Sequence, residues 1–549
     1  GAGSVIHPAV PYLLGALLVA LGPVPLRRAV AVTAPLVALA LVWTAPDGAS
    51  VAVRLFGLTL VPLRIDALAR AFAIVFTLIG VLGGIYAAHV PGRRFHVAAL
   101  VAGAAGVGIV LAGDWATFYV AWEVLAVASF VLVIDGGTPA AGAAAIRYLL
   151  MHLLGGSLLL GGLAWIRVAG GSPAVGALEP GGAGTLVLLG FAVNAAIPPL
   201  HAWLTDAYPE SSPAAGVLLS AFATKAAVYA LARVFPGTEL LVWAGCVMAV
   251  WGVVFAILED DMRKLLGYHI VSQVGYMVAG VGLGTPLALS GVVAHAFCHI
   301  LYKGLLFMAT GSIVHATGRR RLSGLGGLAR PLPAVAALYM VGALSISGAP
   351  LLNGFVSKAM IVSAADAAAA PAVAWLLTVA SVGTFLSVGL KLPALVFGGP
   401  SRTGVASPVP AGMTAAMALA AALCVLLGVA PGLLYRLLPF DVGYVPYTGA
   451  HVIETLELLA GTTLAFVLAR GALARKATIT LDMDRVYRAA GRAVVRVGRG
   501  IERGAVALEA GVFAIVDAGV PSRRALASPV GYAVLVALGA LGGFLVLVR

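Results

Sequence analysis

The sequence predicts an all-α polytopic membrane protein of 14–16 transmembrane helices, with inverted repeats, broken helices and a C-terminal amphipathic lateral helix. Three observations carry this. The 549 residues are 61% hydrophobic and only 10% charged, more apolar surface than a water-exposed fold can hide. Apolar runs of about 20 residues, the length that crosses roughly 30 Å of hydrocarbon, recur from end to end. The basic residues behind the net charge of +13 sit in short clusters between those runs, so topology and anionic lipid account for the excess and no nucleic-acid partner is expected.

In chain order the spans fall near 5–22, 29–45, 66–88, 95–112, 115–134, 145–168, 184–203, 213–234, 239–258, 265–284, 288–314, 331–366, 371–397, 411–437, 447–470 and 526–547. The first run, Tyr12 to Leu21, lacks a basic stretch before it and reads as a span rather than a signal peptide. Arg27-Arg28, Arg93-Arg94, Arg263-Lys264 and Arg319-Arg320-Arg321 land on one side if each run crosses once, and that side is cytoplasmic. Parity requires 331–366 to cross once, and Gly348-Ala349-Pro350 inside it marks a broken helix whose freed backbone groups line protein or water. Ile197-Pro198-Pro199 and Lys391-Leu392-Pro393 mark two more breaks.

Four regions follow. Residues 1–94 are N-terminal helices, 95–258 and 264–437 two related repeats, and 447–549 C-terminal spans with a surface helix at about 480–520. The repeat rests on IPPLHAWLTDA followed by Lys225 in one half and GAPLLNGFVSK followed by Lys391 in the other. In the surface helix Arg485, Arg488, Arg492, Arg496, Arg499 and Arg503 step by three or four residues, with Val486, Ala490, Val494, Val497 and Ile501 opposite.

Function is read from charges stranded in these spans. Glu123 lies in ATFYVAWEVLAVASFVLVI and Lys225 in GVLLSAFATKAAVYALA, each inside a helix that reads as continuous. A charge at the bilayer centre costs roughly 2.5–3.5 kcal/mol even on lenient scales, so it marks a functional site by default. His295, His299 and Lys303 are spaced i, i+4 and i+8 and project from one helix face. Imidazoles titrate near neutral pH and pass a proton through either nitrogen, which suits a relay. A carboxylate beside a buried lysine holds its proton and, drawn away, lets it go, so Glu123 and Lys225 read as a switch feeding a row that runs to His295, His299 and Lys391. The two histidines lack a carboxylate or thiolate at metal-site spacing, and Cys246, Cys298 and Cys424 lie singly. No metal, cofactor or catalytic residue is therefore expected. His152 and His269 are single occurrences that suit a structural hydrogen bond as well as a relay. No acidic cluster is dense enough to hold sodium alone.

The stretches IPPLHAWLTDAYPESSPAAGVLLSAFATKAAVYALAR, LEDDMRKLLGYHIVSQVGYM, HAFCHILYKGLLFMATG and SISGAPLLNGFVSKAMIV resemble the proton-translocating antiporter-like subunits shared by complex I, membrane-bound hydrogenases and Mrp-type cation/proton antiporters. The HIVSQVGYM and ISGAPLLNGFVSKAM wording is most similar to the D-type subunit of the multisubunit Na+/H+ antiporter, and the resemblance spans roughly residues 95–400. It implies proton translocation along Glu123, Lys225, Arg263, Lys264, His295, His299, Lys303, Lys358 and Lys391. Glu123 would pair with Lys225, Arg263 or Lys264 would connect to the His295/His299 helix, and Lys391 would be the far-side lysine. It also implies a multi-pass subunit of a bacterial or archaeal cell membrane, working with other hydrophobic subunits and anionic lipids to exchange protons for Na+. Thr205 stands where many relatives carry proline and Tyr208 where they carry histidine, so no histidine role passes to position 208. Two other readings are the same engine within a complex I-like, hydrogenase or bicarbonate-uptake assembly, and a membrane scaffold whose buried charges only hold helices together.

Overall fold

The computed structural model describes residues 5–55 and 57–469, with isolated positions from 471 to 496. Most of the basic C-terminal stripe and the span near 526–547 lie outside the described residues. Residues 1–163 and 172–480 form one compact unit, and 164–171 with 481–549 a second. In the second, the amide of Gly171 returns to the carbonyl of Ile166 at 2.8 Å.

The first unit starts with α1 (Ala9–Leu21) and α2 (Val24–Thr44), then a hairpin of β1 (Ser50–Leu55) and β2 (Leu58–Arg64). This antiparallel pair, turning at Gly57 with φ +79°, is an addition to the predicted all-helical plan. Next come α3 (Ala67–Tyr86), α4 (Arg93–Leu111), α5 (Trp115–Ile134) and α6 (Pro139–Val168). Asp114 joins the hairpin to the helices: its carboxylate caps α5 through the Thr117 amide at 2.9 Å and accepts from the Val61 amide of β2 at 2.7 Å.

The middle of the chain forms α7 (Ala183–Asn194), α8 (Ala202–Glu210), α9 (Pro213–Leu219), α10 (Ala223–Val234), α11 (Glu239–Leu258), α12 (Met262–Leu283) and α13 (Pro286–Thr317). Ser212 and Thr285 cap α9 and α13, each with proline at the first helical position, where a missing N–H costs nothing. The membrane windows of α13 and of residues 213–234 are wholly buried, which puts both inside the bundle. Against α13, α12 packs on α11 through glycines. A Cβ at Gly275 would sit 2.6 Å from the Ala249 amide nitrogen and one at Gly245 2.8 Å from Ala279 Cα, so only glycine permits this approach.

The chain then runs through α14 (Pro333–Ser347), α15 (Asn353–Ala367), α16 (Pro371–Thr384), a π-helical stretch (Phe385–Lys391), α17 (Leu392–Val396), α18 (Ala411–Val429), α19 (Gly432–Tyr435) and α20 (Gly449–Ala469). Two expected breaks are present, between α7 and α8 and between α14 and α15, the latter turning on Gly348 at φ +78°. The break expected at Lys391-Leu392-Pro393 is replaced by a wide π turn that stays helical and absorbs the proline. Conversely, the span read as continuous over 213–234 is interrupted at Ser220–Phe222. Among the described residues 11 helices are long and apolar enough to cross a bilayer, and α1, α7 and α14 are apolar but shorter. Of the expected spans outside these 11, 5–22 is the 13-residue α1, 184–203 and 331–366 are broken into shorter pieces, 265–284 is the continuous but more polar α12, and 526–547 lies outside the described residues.

Candidate functional site

At two of the interruptions a buried lysine donates to a carbonyl at or beside the break. Helix α9 ends at Ser220, whose carbonyl accepts from Lys225 Nζ at 2.7 Å, with Thr224 Oγ1 at 3.1 Å. The α14/α15 break does the same for Lys358, whose ammonium donates to Ile346 O at 2.8 Å and Ser381 Oγ at 3.3 Å and lies 5.3 Å from the centre of the Tyr276 ring. Lys391, last residue of the π turn, donates to Ile257 O at 2.6 Å and Glu259 O at 2.9 Å, at the C-terminal end of α11, where helix geometry leaves carbonyls over.

Between them stands the α13 triplet. His295, His299 and Lys303 are completely buried. His295 Nδ1 lies 3.3 Å from Ser357 Oγ, one residue before Lys358. Among the described residues neither the two nitrogens of His299 nor Lys303 Nζ has a hydrogen-bond partner. Lys225, Lys303, His295 and Lys358 all lie within electrostatic reach of His299. A buried donor left dry costs about 1–3 kcal/mol, more when charged, and water is the ligand that relieves it.

His269, which its isolated place in the sequence left unassigned, lies buried on the neighbouring helix α12. Its Nε2 is 2.7 Å from Ser387 Oγ, one turn before Lys391, and it is electrostatically coupled to Lys303 and Lys358. Beside it Tyr302 donates to Gln273 Oε1 at 3.4 Å. Its signal in the sequence was a histidine followed by Ser272 and Gln273 on an otherwise apolar helix.

Three expected placements differ. Among the described residues no ion pair joins Glu123 to Lys225. Glu123 is half-buried on α5, with the Tyr119 hydroxyl one turn away and its carboxylate against Gly156 of α6. Arg263 is bonded elsewhere, at the α8–α9 junction. Its guanidinium, held in the first turn of α12, donates to Pro209 O at 3.1 Å, to Ser211 O, to Ser211 Oγ at 3.2 Å and to Ser212 O at 3.1 Å, clamping the α8–α9 junction. Lys264 pairs with Glu259 at 3.2 Å, and Arg320 bridges Glu210 at 2.6 Å and Asp261 at 2.7 Å, which places this network at the arginine-rich end. Burial pushes the Asp261 carboxyl up against the opposing pull of Arg320.

A cavity of about 140 Å³ between α15, α16 and α20 reaches Lys358 and Ser381 and is bordered by Asp366 and Glu454. It opens at the end opposite Arg319–Arg321, since Gly398 beyond α17 and Ala406 before α18 bond back to Gly327 and Ala316 at the arginine-rich end. Among the described residues no group of three His, Cys, Asp or Glu side chains is placed to hold a metal.

A family described as NADH:quinone oxidoreductase/Mrp antiporter, TM, matches residues 112–387. The D-type subunit of the Na(+)/H(+) antiporter of Alkalihalophilus pseudofirmus is 33% identical over 279 residues, 47% of this chain and 56% of that protein. A chain in the structure of the Mrp complex from Dietzia sp. superposes with a TM-score of 0.70 at 26% identity, covering 84% of this chain and 98% of its own. A chain of respiratory complex I from Thermus thermophilus gives 0.69 at 25% identity, covering 79% and 99%. The matched part spans 56–65% of the length of the first curated relatives. With half of its length matched by that family, and the match running from the start of α5 to the π turn, the chain belongs to the NADH:quinone oxidoreductase/Mrp antiporter transmembrane family.

Proposed function

We propose that this chain is the proton-translocating membrane subunit of a multisubunit Mrp-type cation (Na+)/proton antiporter in a prokaryotic cell membrane. The observation that carries the reading is the buried row itself: Lys225, His299, His295, Lys303 and Lys358 share one interior, and His299 and Lys303 have no hydrogen-bond partner among the described residues. Groups so placed suit transfer through intervening water, because none is locked into an ion pair with a carboxylate. Lys225 and Lys358 bond to a carbonyl and a hydroxyl rather than to carboxylates, so each exchanges its proton without breaking an ion pair. The row leaves by two routes, His269 and Ser387 toward Lys391 at the arginine-rich end, and the Lys358 cavity at the other.

Glu123, midway along α5 with its carboxylate against Gly156 of α6, supplies the input charge of this reading. The repeat organisation over 95–258 and 264–437 fits the recurrence of a broken helix with a carbonyl-bonded lysine in each half. Other hydrophobic subunits, anionic lipid, protons and Na+ are the partners of this reading. The likeness to a complex I chain supports the second reading, the same subunit attached to a redox assembly.

The test is proton flux in vesicles holding the assembled complex with Lys225→Ala or Glu123→Ala. The reading expects flux to collapse with assembly intact, and full flux contradicts it. Mass spectrometry of the intact complex separates the two settings, since a flavin, nickel or iron–sulfur subunit belongs only to the redox one.

A further inference from the structure

We propose that Gly156 is a positioning residue for Glu123: the missing side chain at 156 creates the notch in α6 that receives the Glu123 carboxylate and fixes its distance from the bundle interior. This rests on the proton-relay reading for its consequence, but the positioning itself is a separate claim.

The geometry is specific to this glycine. The three atoms nearest a Cβ built at 156 all belong to the Glu123 carboxyl group, inside van der Waals contact of Oε1, 2.9 Å from Cδ and 3.2 Å from Oε2. No backbone of another helix and no hydrophobic side chain is among its nearest atoms, so close helix packing does not account for the residue. Its neighbour Gly155 faces the other way, toward Val193 at 3.1 Å and Asn194 at the end of α7. On the same helix Gly142 has open space around it. Three glycines of α6 therefore have three different environments, and only one addresses a charge.

Glu123 needs such a seat. Its Oε1 is buried without a hydrogen-bond partner, so no hydrogen bond fixes that oxygen. On its outer side Val124 and Val127 are exposed, at 37% and 53%. A methyl group at 156 must move Cδ from 2.9 Å to at least the 3.4 Å where ordinary contact begins, and Oε1 further, toward that exposed face. The side chain is flexible and its polar neighbour Tyr119 sits one turn away on the same helix, so the fold tolerates this change while the carboxylate leaves its seat.

The experiment is Gly156→Ala in the full complex, with Gly142→Ala as the matched helix control. Two quantities are read: labelling of Glu123 by a membrane-permeant carbodiimide, quantified by mass spectrometry, and the pH profile of proton flux. The proposal expects faster labelling and a displaced pH profile with flux per complex lowered about tenfold or more, because misplacing a reacting group by about an ångström costs up to about a hundredfold. Gly142→Ala should match wild type, and adding Glu123→Asp, which shortens the side chain, should restore part of the flux to Gly156→Ala. Unchanged labelling in assembled Gly156→Ala overturns the positioning claim. Faster labelling with wild-type flux and pH profile leaves the seat in place but overturns the role of Glu123 in transport.

Discussion

Arg263→Ala is predicted to damage the architecture far more than the conduction row. The guanidinium is buried, at 3% exposure, and donates to three backbone carbonyls and one hydroxyl from Pro209 to Ser212, the segment joining α8 to the cap of α9. Bonds from a charged donor contribute about 1.5–3 kcal/mol each, and they are not additive when the freed carbonyls relax together. Truncating one member of a buried charged network typically costs about 3–5 kcal/mol, the size expected here. Lysine at 263 keeps the charge but replaces a planar fork with a point donor, so Arg263→Lys should recover only part of the loss. Gly216 offers a second handle, because a Cβ there collides with the same guanidinium and reaches 3.3 Å from Phe307. The assay is thermal unfolding of the detergent-solubilised complex followed by tryptophan fluorescence, with flux measured per assembled complex. Midpoints should fall in the order wild type, Arg263→Lys, Arg263→Ala, with Gly216→Ala also lowered, and flux per surviving complex should hold. An unchanged midpoint with abolished flux refutes the clamp and returns Arg263 to the conduction path.

Three further outcomes follow from the geometry. His269→Phe keeps the bulk on α12 but removes the bond to Ser387, so flux should fall at least about tenfold while assembly is normal, measured in the same vesicles. Asp66 caps α3 and receives two bonds from Arg233, at 2.6 and 2.7 Å; burial acts to raise its carboxyl, but Arg233 outweighs this and holds it below the ordinary carboxylate range. Its stabilisation is therefore present at neutral pH and lost as pH falls through the lowered value, so the melting advantage of wild type over Asp66→Asn should shrink below about pH 4. Ser381→Cys lines the cavity at Lys358 and should react with a water-soluble thiol reagent applied from the face opposite the arginine-rich loops, and not from the other.

What the sequence made legible follows from how local each signal is. The α13 triplet was readable because helical spacing alone puts i, i+4 and i+8 on one face, and all three residues are indeed buried together. The α14/α15 break was readable because Gly348 supplies a positive φ that only glycine takes easily. The Ser220–Phe222 interruption was hidden because no glycine or proline makes it. There the polar side chains satisfy the backbone instead, with Lys225 on the Ser220 carbonyl and Ser220 Oγ on Val217 O at 2.7 Å. Pro393 misled for the complementary reason, since a π turn just before it makes room for a ring that would break a regular helix. The resemblance implies Arg263 or Lys264 as the central connection, but the partners Arg263 takes, three carbonyls and the Ser211 hydroxyl, could not be read in advance, because main-chain acceptors leave no trace in a sequence. The distance from Glu123 to Lys225 depends on how α5 and α10 pack, which no local pattern records.

The central claim, that buried titratable side chains act as one series, is tested most directly by proton flux through vesicles carrying Lys225→Met, Lys303→Met and Lys358→Met singly and all three together. Sites in series give a triple replacement no slower than the slowest single one, because one closed step already stops the file. Partial losses that multiply, or a single replacement that conducts like wild type, contradict the account.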